Sequence, residues 1–176
     1  LIVVGGLAYL GSRSWKLALG SMVSFALIGY FGMWEDTMST IALISVATLL
    51  CILIGMPLGI WMAKSDRVQA VITPILDVMQ TIPIFVYLLP VLMLLGIGKV
   101  PGLIAVCVYA MPPMVRLTNL GIRLVDRDVL EAANAFGAND KQKLFGVQIP
   151  LALPNIFAGI NQTIMMALAM VVIASM

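Results

Sequence analysis

Long apolar runs, each nearly free of charge and separated by short polar links, constrain this chain more than any other feature. A helix needs about twenty apolar residues to cross a hydrocarbon core of roughly 30 Å. Read in order, residues 1–10 are the remnant of a spanning helix, and 17–34 and 37–63 are two full spans, the second broken softly by Gly55, Pro57 and Gly59. The third full span, 68–97, is bent or broken, because Pro74, Pro83 and Pro90 punctuate it. Residues 103–118 cross again, with Pro112 and Pro113 kinking the end, and 151–176 begin the last span. Composition agrees: of 176 residues, 62% are hydrophobic and 10% charged, against about 25% charged in soluble domains. The expectation is an all-α polytopic membrane protein of five or six transmembrane helices. It is one transmembrane domain over 1–176 that reads as cut at both ends, with no room for a soluble catalytic domain.

Threading the spans alternately through the bilayer puts Arg13, Lys16, Lys64, Arg67, Arg116, Arg123, Arg127, Lys141 and Lys143 on one side and Lys99 on the other. Basic residues in short loops mark the cytoplasmic face. That face then carries the one long polar stretch, 120–150, whose core is EAANAFGANDKQKLFGVQIP, 131–150. Asp128 can cap a helix with Glu131 at its third position, continued by Ala132, Ala133, Ala135 and Phe136. Gly137 can close that helix in the left-handed conformation. Asn139 or Asp140 can then cap a shorter one carrying Lys141, Lys143, Leu144 and Phe145 up to Pro150.

Histidine is absent, and Cys51 and Cys107 lie far apart in apolar runs, which suggests neither a zinc site nor a disulfide framework. No G-x-x-x-x-G-K-[ST] phosphate loop occurs. Asp77 is the one carboxylate inside a span, and an ionisable group there is costly unless paired or wetted. With Gln80 and Thr81 it makes a polar helix face, which either lines a translocation path or lies near the interface with Asp77 bonded to Thr73 or nearby backbone. Arg116 either snorkels to the headgroups or pairs with an acidic residue of the loop.

Glu131, Ala132, Ala133, Gly137, Val147, Ile149 and Pro150 follow the pattern EAA, three residues, G, nine residues, I, one residue, LP, with Val147 for isoleucine and Ile149 for leucine. This resembles the signature of the membrane subunits of bacterial ATP-binding-cassette importers, whose fold is MetI-like. Pro112, Pro113, Arg116, Asn119 and Gly121 resemble the approach to that loop. LDVMQTIPIFVYLLP, 76–90, is similar to the glycine betaine and proline betaine branch. The resemblance implies a permease in the bacterial inner membrane that carries compatible solutes, with choline or another amino-acid-like solute as the alternative substrate. Its partners would be two ATP-binding subunits, a second permease copy, a periplasmic or tethered binding protein and membrane lipid, with no nucleic acid.

By the same resemblance the coupling residues are Glu131, Ala132, Ala133, Gly137, Asn139, Asp140, Leu144, Phe145, Ile149 and Pro150, on a short helix lying across the membrane surface. Leu144 and Phe145 would be its anchors in a groove of the ATPase. ATP and magnesium would be held by that partner and no cofactor by this chain. A quaternary ammonium is attracted to aromatic faces. The path residues would then be Asp77, Gln80, Thr81, Phe85, Tyr87 and Tyr109. A secondary transporter without an ATPase is the rival of another class, but it needs an ion or proton relay, for which a lone Asp77 offers little.

Overall fold

A computed structural model describes residues 2–96 and 98–174; the outermost positions of three expected spans, Leu1, Ile97 and Met176, lie outside the described residues. The described residues form helices joined by short links: α1 (Ile2–Ser12), α2 (Trp15–Tyr30), α3 (Trp34–Lys64), α4 (Asp66–Thr81), α5 (Ile84–Leu95), α6 (Lys99–Arg123), α7 (Arg127–Ala135), α8 (Asp140–Lys143) and α9 (Ile149–Ala174). A π-helical turn, Leu144–Gln148, joins α8 to α9. Two compact units result, one up to Ala42 and the other from Leu43.

Three helices are long and apolar enough to cross a membrane: α3, α6 and the continuous run Asp140–Ile173. The pair α4 and α5, bent by 91°, adds a fourth if it counts as one span. The described residues therefore hold three or four such spans, which matches the expected five or six only roughly. α2 has only 16 residues and α1 has 11, short of a full crossing.

In the first unit α1 and α2 pack against each other. Its turn at Gly32 (φ 73°) leads to Glu35 and Asp36 in the first turn of α3, and Lys64 ends that helix. Acidic start and basic end both suit the helix dipole.

The second unit is built around α6, whose residues take part in all three apolar clusters. Gly55 and Gly59 do not break α3, as their composition suggests. They form the small face, four residues apart, on which α6 lies. A Cβ on Gly59 would stand 2.7 Å from both the Thr118 Cβ and the Val115 carbonyl oxygen. Cys51 and Cys107 lie on this same α3–α6 contact: the Cys51 thiol reaches the Cys107 carbonyl at 3.5 Å. They are sequence-distant packing neighbours.

Ser65 caps α4 by accepting from the Val68 N–H. Pro83 drives Ile82 into extended backbone (ψ 130°) and so separates α4 from α5. The Tyr87 hydroxyl donates to the Met79 carbonyl at 2.6 Å, across that break. Pro112 and Pro113 neither end nor shorten their helix, for α6 continues to Arg123 with both rings buried. Arg123 secures that end. Its guanidinium donates to the Met62 carbonyl in the last turn of α3 at 3.0 Å, to Asn119 at 3.2 Å and to Asp66 at 2.7 Å.

Candidate functional site: the Gly137 hairpin and the polar wall of α6

The hairpin begins two residues earlier than its capping-box pattern suggests. Asp126, not Asp128, is the N-cap of α7, its carboxylate accepting from the Asp128 N–H at 3.0 Å. Two aspartates two residues apart offer the same chemistry, and the earlier start puts Val125 and Leu130 at hydrophobic-staple spacing. Val125 is buried. Glu131 is therefore not in a capping box; its carboxylate is exposed and without a bonding partner among the described residues. Ala132 and Ala133 supply carbonyls that close the helix: Phe136 N–H donates to Ala132 at 3.1 Å and Ala138 N–H to Ala133 at 3.0 Å. Gly137 N–H donates to Asn134 at 2.9 Å. Together these form a Schellman turn, and Gly137 occupies its left-handed position with φ 77°.

Asn139 caps the next helix through a reciprocal box with Gln142, each side chain bonding the other's backbone N–H at 2.9 Å. Lys143 lies 2.8 Å from Asp140. The short helix does not end before Pro150. It passes through the π turn into α9, with the Ile149 N–H reaching back to Leu144. The wider turn accommodates a proline that removes one helical donor and would crowd the carbonyl four residues back. The short helix is thus continuous with the last span.

Leu144 is a further difference. It is 6% exposed and packs within its own chain, so it holds the hairpin in place and is not free to anchor a partner. Phe145 is 67% exposed and Phe136, which the motif does not include, is 93% exposed. Ile149 is half-buried and Pro150 exposed. Two bare phenylalanines flank a polar turn whose geometry is fully bonded.

The residues expected along a path separate into groups. Asp77 on α4 and Arg116 on α6 form an ion pair between Asp77 Oδ1 and Arg116 Nη2. This replaces the readings in which Asp77 bonds to Thr73 or nearby backbone and Arg116 reaches the loop or the headgroups. Gln80 lines a cavity of about 440 Å³ between α4, α6 and α9, together with Gln69, Thr73, Arg116, Asn119 and Gln162. Thr81 donates to the Val78 carbonyl of its own helix. Tyr87 and Tyr109 meet with ring centroids 6.3 Å apart. Tyr109 also lines an open groove with Asn161, Gln162 and Met165, whereas Phe85 is exposed.

Sequence reasoning missed the Asp77–Arg116 pair, Asn119, Asn161 and Gln162. One signal was available for the first: charges at membrane depth pair with one another, and these two have opposite sign.

Apolar helices around a half-open polar cavity, joined by a bonded polar hairpin at one end, define a helical membrane protein of the transport-component class. The chain belongs to the family of binding-protein-dependent transport system inner membrane components, whose model matches residues 55–176. It is similar to the glycine betaine/proline betaine transport system permease protein ProW of Escherichia coli (strain K12), 54% identical over 91% of this chain and 45% of that protein. It is also similar to the glycine betaine transport system permease protein OpuAB of Bacillus subtilis (strain 168), 49% identical over 91% of this chain and 57% of that protein. The glycine betaine/carnitine transport permease protein GbuB of Listeria monocytogenes serotype 1/2a (strain 10403S) is 50% identical over 93% of this chain and 58% of that protein. The chain spans about half the length of these relatives.

Proposed function

We propose that this chain is the permease part of an ATP-binding-cassette importer, carrying glycine betaine, proline betaine or a closely related zwitterion inward across the bacterial inner membrane. The observation that carries the coupling is the Gly137 hairpin. A backbone-bonded turn with Phe136 and Phe145 left bare is what a partner's groove would bury, because interface anchors are aromatic side chains in desolvated pockets. That partner is an ATP-binding subunit, one for each of two permease copies, which holds ATP and magnesium and performs the hydrolysis. A binding protein delivers the solute from outside.

Sidedness follows from charge. Lys64, Arg67, Arg123, Arg127, Lys141 and Lys143 lie around the hairpin end of the helices, and Lys99 starts α6 at its opposite end. This supports a cytoplasmic hairpin. ATP-driven closure of two partners would draw the paired hairpins together, and because α8 runs unbroken into α9, the pull passes directly into a spanning helix.

The betaine assignment rests on the names of the similar permeases, among which carnitine also appears, and choline stays the alternative. The test is uptake of labelled glycine betaine by vesicles that contain the full transporter and internal ATP. Uptake is expected with ATP and lost without it, with unlabelled proline betaine competing. ATP-dependent uptake of choline, uncompeted by any betaine, would reassign the substrate.

A further inference from the structure

The cavity between α4, α6 and α9 combines features that together specify a ligand group. Among the described residues lining it, Arg116 is the one that carries charge; Gln69, Thr73, Gln80, Asn119 and Gln162 supply neutral polar groups. The Arg116 Nε–H is buried and has no acceptor. Its Nη2 is held by Asp77, which does not line the cavity and is 56% exposed. A buried donor left unpaired carries an uncompensated desolvation cost. Nε and Nη2 form one edge of the planar guanidinium, the edge that takes both oxygens of a carboxylate in parallel.

We propose that Arg116 is the carboxylate-binding residue of a substrate station in this wall, and that Asp77 is the resident counterion which the substrate's carboxylate displaces from Nη2. The proposal rests on the reading of the chain as a permease for betaine-type zwitterions. Without substrate, Asp77 prevents a bare cation at membrane depth. When substrate arrives, one carboxylate replaces another on the same edge and Nε gains its missing acceptor. The released Asp77 carboxylate, outside the cavity and 56% exposed, is then hydrated by solvent. Tyr109 lies seven residues back on the same face of α6, about 10 Å along the axis. Its groove shares Gln162 with the cavity. The ammonium group therefore has an aromatic face available before the carboxylate reaches Arg116.

The experiment is uptake of labelled glycine betaine by the complete transporter in vesicles, normalised to the permease that co-purifies with its ATP-binding subunit. Arg116→Gln is expected to lose at least tenfold. Arg116→Lys, which keeps the charge but not the fork, is expected to lose severalfold. Asp77→Asn is expected to lose at least fivefold less than Arg116→Gln, because only the stand-in is removed. The exchange of both residues, Asp77→Arg with Arg116→Asp, is expected to stay inactive. If the pair were only a clip between α4 and α6, the two single variants would lose uptake equally and the exchange would restore it; either result overturns the proposal. Undiminished uptake by Arg116→Gln beside an active wild type overturns the proposal alone. A wild type that takes up no betaine overturns the functional reading, and this proposal with it.

Discussion

Gly137→Val is expected to lower ATP-driven uptake at least tenfold while the protein still inserts in the membrane at its normal level. Space is not the reason, since a Cβ at this position meets nothing within 4 Å. The reason is backbone conformation: with φ at 77°, an L side chain pays about 1–2 kcal/mol, and a β-branched one is a worse outlier still. The turn can escape by giving up the bonds from Gly137 to Asn134 and from Ala138 to Ala133. That re-aims Phe136 and uncouples α7 from the helix that follows. Insertion is spared because the apolar spans are untouched. Strain also predicts an order among substitutions: asparagine, which enters the left-handed region most readily, loses least, alanine more and valine most. Uptake and membrane content measured on the same vesicles check this. Equal uptake for all three variants would mean that the turn's conformation does not matter.

Gly121→Leu is expected to have an opposite signature, with little folded permease recovered at all. A Cβ alone would stand 2.8 Å from the Asn155 Cβ and 3.2 Å from the Ala152 Cβ and carbonyl oxygen, so α6 and α9 could not keep their contact. Overpacking a tight contact costs about 1–3 kcal/mol, sometimes more. Here part of the clash is with backbone, which cannot swing aside. Gly102→Ala on the same helix is the control, since a Cβ there meets nothing within 4 Å. Recovery in detergent and the melting temperature of what is recovered are the measurements. A Gly121→Leu protein as stable as the Gly102→Ala protein would contradict the close approach of α6 and α9.

Much of this was legible in the sequence, for identifiable reasons. Charge-free apolar runs have few alternatives to spanning helices, so α3, α6 and α9 were found. The break in 68–97 was legible because prolines punctuate that run, but only Pro83 makes it; Pro74 and Pro90 lie inside α4 and α5. Gly137 and Asn139 were legible because left-handed turns and helix caps are local chemistry. What failed was non-local. Gly55 and Gly59 look like helix breakers until α6 is laid on them. Pro112 and Pro113 look like an end until Arg123, further along, is seen tied to Met62 and Asp66. The choice between Asp126 and Asp128 as cap turned on what Val125 could bury. Leu144 and Phe145, adjacent and both apolar, have opposite fates because only one faces its own chain. Asp77 and Arg116, thirty-nine positions apart, could be matched only by knowing that α4 and α6 are neighbours.

The hairpin's role is decided by what touches it. A benzophenone side chain placed at position 136, where Phe136 is 93% exposed, reports this in the assembled transporter on illumination. A cross-link from position 136 to the ATP-binding subunit is the expected result. Cross-links to lipid or to the external binding protein, with none to the ATP-binding subunit, would contradict the hairpin's role as the point where ATP-driven motion enters the membrane.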